Sequence, residues 1–289
     1  MVAVGFQMKM RVLAVSLALM LILAGCGGSD APSDPEAVRD DGPDHVHGLG
    51  VNPRDGALMV ATHSGLFRVA EGQRELSRVG DLRQDTMGFT IVGPDRFLGS
   101  GHPDTRTNDP PHLGLIESDD GGKSWSSVSL RGDADLHALV AHSHVIYAFD
   151  SRSGRLLASG SKGRSWTTRR SPGSVIALAL DPKVETRLVA STDEAVFLST
   201  DGGATWKKRA GIEPGMLAWP SPRELLHVGA DGLVSVSNDQ GRTWRRRGEV
   251  PAQPVAMSAN GDRVHVADPE GRIFASRDGG RTWTLLVEP

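Results

Sequence analysis

Histidine and aspartate are the residues of this chain whose types and spacing could carry chemistry. Two histidines flank a valine in "HVHGL", a histidine and an aspartate share "GHPD", and "DLH" combines the same two residue types again. Imidazoles and carboxylates that converge on a pocket can bind a transition metal, hold a polar ligand or exchange protons. The candidate ligand-binding residues are His45, His47, His63, His102 and His137, and the candidate catalytic carboxylates are Asp85, Asp104 and Asp135.

A divalent metal is one cofactor that this set could hold, with His47, His63, His102 and His137 as candidate ligands. The sequence does not require a metal, because it contains no HExxH or other local metal-binding motif. The alternative for each histidine taken singly is a hydrogen bond to a neighbouring loop. The chemistry of these residues therefore depends on the elements that position them.

A short acidic element recurs along the chain and reads Ser-x-Asp-x-Gly-x-Thr/Ser-Trp, as in "STDGGATW". Its Asp residues are Asp120, Asp201, Asp239 and Asp278, and its Trp residues are Trp125, Trp166, Trp206, Trp244 and Trp283. Ser and Asp side chains accept hydrogen bonds from turn amides, and glycine supplies the positive φ of tight turns. A calcium loop of the EF-hand type needs about five oxygen ligands over about 12 residues. Four copies have one acid at the shared position and the copy that ends at Trp166 has Ser161 there, so we predict structural turns.

The five tryptophans are 41, 40, 38 and 39 residues apart. A repeat near 40 residues is typical of propellers and solenoids. Each unit also contains four short segments of strand character, such as "VIALAL", "RLVAST", "AVFLS" and "TWKKR". We therefore predict an all-β, six-bladed β-propeller of four-stranded antiparallel blades. The predicted blades are about 44–82, 83–131, 132–171, 172–211, 212–249 and 250–289.

The strand order predicts which residues share a face of the ring. The first strand of each unit is the most apolar and should line the central channel, with the fourth strand at the rim. Because antiparallel strands alternate in direction, the start of strand one and the end of strand two lie on one face. The acidic turns between strands three and four lie on the opposite face. The candidate histidines and aspartates, together with His112, map to the first face in the first three blades.

The repeated element resembles the Asp-box, or BNR, repeat of sialidases, sortilin-type receptors, photosystem assembly factors and some xyloglucanases. Together with "HVHGL", "GHPD" and the N-terminal "LAGC", it resembles bacterial lipoproteins described as exo-α-sialidase-like glycosyl hydrolases. The resemblance implies the fold and leaves the activity open, because one fold hosts many functions. The sialidase set of Arg, Tyr and Glu residues is not found: the predicted inner strands contain no Arg, and the sole tyrosine, Tyr147, lies within a predicted strand.

The N-terminus predicts export and lipid anchoring. Basic Lys9 and Arg11 precede an apolar run over 12–23 that is too short to cross a bilayer comfortably. The following "LAGC" resembles a lipobox, which implies cleavage before Cys26 and lipidation of the only cysteine in the chain. Residues 1–25 would then be the signal peptide, and 26–43 the lipidated cysteine and a flexible tether. The alternative is an ordinary secretory signal.

The net charge of −3 argues against a dedicated nucleic-acid-binding protein. We predict a lipid-anchored, extracytoplasmic propeller on a bacterial membrane that acts as a binding module through its His/Asp-lined face. Its partners would be the membrane, through the lipid, and a glycan, cell-wall polymer or protein. The alternatives are a glycoside hydrolase that uses paired carboxylates and a metal-binding surface protein.

Overall fold

The structure of the protein is a computed structural model that describes residues 44–288, and it confirms the all-β, six-bladed β-propeller. Each of six sheets contains four antiparallel strands that are paired in sequence order. None of the described residues belongs to a helix that could cross a membrane. The predicted signal peptide (1–25), Cys26 and the tether up to residue 43 lie outside the described residues.

The strands of the first three blades are β1 (Val46–Val51), β2 (Leu58–Thr62), β3 (Gly65–Val69), β4 (Leu76–Arg78), β5 (Asp85–Gly93), β6 (Arg96–His102), β7 (Leu115–Ser118), β8 (Ser126–Ser129), β9 (Leu136–His142), β10 (Val145–Asp150), β11 (Arg155–Ser159) and β12 (Thr167–Arg169). Those of the last three blades are β13 (Val175–Leu180), β14 (Leu188–Thr192), β15 (Val196–Ser199), β16 (Lys207–Lys208), β17 (Gly215–Ser221), β18 (Glu224–Gly229), β19 (Leu233–Ser237), β20 (Arg245–Glu249), β21 (Ala256–Asn260), β22 (Arg263–Ala267), β23 (Ile273–Ser276) and β24 (Thr284–Val287).

The first strand of every blade contributes to a closed inner ring. The inner strands β1, β5, β9, β13, β17 and β21 each contact the next, and β21 contacts β1. The hydrophobic core lies between neighbouring blades: Val60 and Phe67 of the first blade pack with Ala256 and Ile273 of the last. Because a four-stranded sheet cannot bury both faces alone, this stacking stabilises all six blades together.

The repeated acidic element folds as a turn held by its own side chains. Ser199 Oγ donates a hydrogen bond to Asp201 Oδ1 at 2.8 Å and accepts one from the Gly203 amide at 2.8 Å. Asp201 in turn accepts from the Thr205 amide at 2.9 Å and from the Thr205 hydroxyl at 2.6 Å. These hydrogen bonds, led by the one from the Thr205 hydroxyl, lower the pKa of Asp201 to about 2. All four hydrogen bonds lie within the turn, so the element has a structural role.

Tryptophans of the repeated element attach a blade to the one before it. Trp206 Nε1 donates to the carbonyl of Arg170, which follows β12, at 3.0 Å. Trp166 Nε1 donates to Ser129 Oγ of β8 at 3.0 Å. The indoles of Trp166 and Trp206 thus cover apolar surface while their N–H groups remain hydrogen-bonded.

Candidate functional site

The histidine face is the face of the ring on which β1, β5 and β9 begin and β2 and β6 end. Val46 pairs with Thr62 at this edge of the first blade, and Asp85 pairs with His102 in the second. Strand β5 begins at Asp85 itself, two residues before the apolar segment expected from the sequence. The pairing places the "GHPD" histidine directly beside the aspartate that opens the neighbouring strand.

Asp85 lies among three of the candidate histidines. Its Oδ1 is 3.3 Å from His47 Nε2, and its Oδ2 is 3.1 Å from His63 Nδ1 and 3.1 Å from His102 Nδ1. His45 lies beside this group, with its ring centroid 6.4 Å from that of His63. Asp85 is buried, whereas the His63 side chain is 59% exposed. The group is therefore anchored in the ring and open to solvent on one side.

Asp135 forms a second, adjacent group. Its Oδ2 lies 2.9 Å from His137 Nε2, 3.6 Å from His102 Nε2 and 3.0 Å from the Ser151 hydroxyl, which donates to it. The ring of His112 lies 5.6 Å from that of His102. His102 therefore stands between the two buried carboxylates and presents one ring nitrogen to each. We call this assembly the histidine cluster; its members are His47, His63, His102, His112, His137, Asp85 and Asp135.

The two carboxylates of the cluster are ionised at neutral pH. Burial by itself would raise the pKa of Asp85, but the imidazoles of His47 and His102 outweigh burial and lower that pKa. Burial likewise opposes ionisation of Asp135, and His137 followed by Ser151 reverses it, so the pKa of Asp135 is also lowered. Two negative charges held below the protein surface form a site for positive charge.

Four buried polar atoms of the cluster lack a hydrogen-bond partner among the described residues. They are His47 Nε2, Asp85 Oδ1, His112 Nδ1 and Asp135 Oδ1. Buried polar groups are nearly always satisfied, so a group of such atoms in one place calls for an explanation. The explanation with the most direct chemistry is a ligand that the unpartnered atoms contact.

Asp104, the third candidate carboxylate, is engaged elsewhere. Its side chain is buried and paired with Arg106, and it accepts hydrogen bonds from the amides of Arg83 at 2.8 Å and Arg106 at 2.9 Å. The Arg106 guanidinium holds the pKa of Asp104 well below its usual range. Asp104 thus fixes the loop after β6, and its contacts involve no member of the cluster.

The sequence candidates omitted two contributors to the cluster, His112 and Ser151. His112 lies on the long insertion after β6. The end of this insertion is held against β6 by a hydrogen bond from the Leu113 amide to the Gly101 carbonyl at 2.9 Å. The sequence did assign His112 to the same face of the ring as the other candidate histidines, and this assignment could have identified it. Ser151 directly follows β10 and has no sequence signal of its own.

The cluster adjoins the mouth of the central channel. A cavity of about 380 Å³ at this mouth is lined by the following residues: His45, Val46, His47, Met87, His137, Val175, Ile176, Val255 and Pro269. A second cavity along the channel also contains His47 and His137 and includes Leu49, Phe89 and Leu217. At the mouth, Ile176, which is 45% exposed, supplies apolar surface beside the histidines.

Comparison with known proteins identifies the repeat and the fold. The BNR/Asp-box repeat model matches residues 197–208, and no sequence among the curated proteins matches this chain. YCF48 bound to a D1 peptide is similar in structure, with a TM-score of 0.55 and 15% identity over 84% of this chain and 81% of that chain. At this identity the likeness concerns the fold alone.

Two GH74 proteins are similar to the same extent. The GH74 xyloglucanase from Xanthomonas campestris has a TM-score of 0.53 and 16% identity, over 84% of this chain and 45% of that chain. An ancestral GH74 enzyme has a TM-score of 0.52 and 14% identity, over 84% of this chain and 38% of that chain. The present chain thus spans less than half of either GH74 chain.

Proposed function

Because the chain is a six-bladed β-propeller with BNR/Asp-box repeats, we propose that it is a lipid-anchored, extracytoplasmic binding module that takes a positively charged ligand at its histidine face. The observation that carries this proposal is the pair of buried, ionised carboxylates Asp85 and Asp135, each with one oxygen that accepts no hydrogen bond among the described residues. Burial of negative charge is costly, and a cation that contacts these oxygens adds to the compensation that the surrounding imidazoles provide.

The charge state of the carboxylates favours binding over glycoside hydrolysis. A glycosidase with paired carboxylates needs one protonated group as general acid, and its pKa is raised for that role. The pKa values of Asp85 and Asp135 are both lowered, and Asp104 is paired with Arg106. The GH74 likeness lies in the fold and supplies no catalytic residue to this chain.

A peptide is one source of the positive charge. The YCF48 relative has a D1 peptide bound, which makes a protein partner a reasonable class of ligand for the same architecture. A Lys or Arg side chain could reach the Asp85 and Asp135 carboxylates through the channel mouth, while Ile176 contacts apolar parts of the peptide. A metal ion is the other source of positive charge.

Binding is tested by calorimetric titration of the detergent-purified full chain with Zn²⁺ and, separately, with a tetralysine peptide. We expect at least one of these cations to bind, and the Asp85→Asn and Asp135→Asn variants to bind it at least about thirtyfold more weakly, since each loses a buried counter-charge. Asp119→Asn is the matched control, because this exposed carboxylate lies at the Asp-box turn after β7 on the opposite face, and its affinity should equal that of the wild type.

Two results would contradict the proposal. One is a wild-type chain with native circular dichroism that binds neither cation. The other is turnover of xyloglucan or a sialoside by the wild type that is abolished in Asp85→Asn, which would make the cluster a catalytic site.

The lipid anchor rests on the sequence around Cys26 and has its own test. Cys26→Ser should move the protein from the detergent-extractable membrane fraction to the soluble extracytoplasmic fraction, because the acyl chains would have no attachment point. Incorporation of a labelled fatty acid should disappear in the same variant. Equal membrane partitioning of wild type and Cys26→Ser would contradict lipid anchoring.

A further inference from the structure

The histidine cluster combines two groups of three ligands that are each suited to a metal ion. His47, His63 and Asp85 form one group, and His102, His112 and Asp135 form the other; within each group the ligand atoms lie within 4.8 Å of one another. From this geometry we propose that the cluster binds two transition-metal ions, one in each group. The inference rests on the proposed function and names the cation.

The distances in the first group are close to the edges of a metal coordination shell. Ligand atoms about 2.0–2.2 Å from a tetrahedral metal lie about 3.3–3.6 Å from one another. His47 Nε2 and Asp85 Oδ1 are 3.3 Å apart, and His63 Nδ1 and Asp85 Oδ2 are 3.1 Å apart. These three residues come from three different strand ends, so the convergence is a product of the ring.

The separation and burial of the first pair support a shared ligand. His47 Nε2 and Asp85 Oδ1 are close enough for a hydrogen bond, yet both are buried atoms without a hydrogen-bond partner among the described residues. Their 3.3 Å separation also fits two ligand atoms that bind one metal ion.

The second group repeats the same features. His112 Nδ1 and Asp135 Oδ1 are buried and without a hydrogen-bond partner within residues 44–288. Asp135 Oδ2 is held by the Ser151 hydroxyl at 3.0 Å and by His137 Nε2 at 2.9 Å. Hydrogen bonds of this kind orient a ligating carboxylate and leave its other oxygen for the metal.

The donor set indicates the class of metal. Imidazole nitrogen and carboxylate oxygen suit Zn²⁺, Cu²⁺, Co²⁺ and Ni²⁺, whereas Ca²⁺ and Mg²⁺ favour all-oxygen shells. Each group supplies three protein ligands, which is the number that leaves a fourth position for water or an external ligand. His63, exposed to solvent, provides an entry path to the first site.

Metal stoichiometry tests the proposal. The detergent-purified full chain is stripped with EDTA, equilibrated with Zn²⁺ at near-neutral pH, freed of excess metal and analysed for bound zinc. We expect two zinc ions per chain for the wild type, one for His63→Ala, one for His112→Ala and none for the double variant. His142→Ala is the matched control, because this exposed histidine ends β9 on the opposite face, and it should retain two.

Cobalt supplies a spectroscopic check that a mere loss of folding cannot mimic. Co²⁺ added to folded wild type should give the visible absorption of a tetrahedral nitrogen–oxygen site, and His63→Ala and His112→Ala should each remove about half of it. Circular dichroism and thermal unfolding of metal-free protein establish that the variants are folded.

Several outcomes would overturn the inference. Folded wild type without bound zinc, one zinc per chain, or equal zinc in the wild type and the double variant would each do so. If zinc fails to bind but tetralysine binds and Asp85→Asn weakens it, the metal assignment fails and the proposed function stands. If neither cation binds, both fail.

Discussion

At the scale of single residues, the histidines of this chain differ by their surroundings. Those of the histidine cluster lie around two ionised carboxylates at the ring surface. His227 and His265 are instead buried within the fifth and sixth blades, and burial lowers the pKa of each to about 4. His227 lies against Trp244, with 5.8 Å between the ring centroids. The same residue type therefore lies beside ionised carboxylates open to solvent at one place and in the packed interior of a blade at the other.

The two buried histidines, His227 and His265, predict a specific dependence of stability on pH. Between pH 6.5 and about 4 the unfolded chain binds protons at His227 and His265 while the folded chain does not. The free energy of unfolding should therefore be at its highest above pH 6.5 with respect to these two histidines. It should fall as the pH decreases to 4, by on the order of 3 kcal/mol per histidine.

Urea unfolding at a series of pH values, with EDTA present, measures this effect. The His227→Gln/His265→Gln double variant should show a shallower fall than the wild type over the same range. His142→Ala, which removes an exposed histidine, should follow the wild-type curve. Parallel curves for the double variant and the wild type would contradict the assignment.

At the scale of elements, the Asp-box turns join each blade to its neighbour. Gly203 adopts a φ of +82°, and a Cβ atom at this position would lie 2.5 Å from Leu156 Cδ2 in the preceding blade. The second glycine of the box is thus required both by the backbone and by inter-blade packing. This explains why this copy of the repeat carries glycine and tryptophan together on the side that meets the preceding blade.

Gly203→Ala should destabilise the protein by about 2–4 kcal/mol, since it adds overpacking to the cost of a left-handed alanine. Gly211→Ala is the matched control: Gly211 has a φ of +73° and no atom within 4 Å of its would-be Cβ. Gly211→Ala should therefore lower the free energy of unfolding only through the cost of a left-handed alanine backbone, by about 1–2 kcal/mol. The difference in urea midpoint between the two variants isolates the packing term, and equal midpoints would contradict it.

At the scale of the whole molecule, the closed ring positions the candidate site. Contact between β21 and β1 completes the channel, and the cluster draws residues from three consecutive blades at its mouth. His102 connects the Asp85 group with the Asp135 group, so the relative position of blades two and three sets the geometry of the cluster. Ligand binding and ring stability are therefore linked, because only the closed ring brings these groups together.

The sequence by itself determined the architecture. Its repeat spacing predicted six blades, and strand alternation assigned the candidate histidines and aspartates to one face, because both are local patterns that every copy repeats. Tertiary structure alone decided which of those residues meet. Arg106 draws Asp104 away from Asp85 and Asp135, and the insertion after β6 delivers His112 to the cluster. Contacts between blades and along an irregular loop have no period in the sequence, so only the folded ring could reveal them.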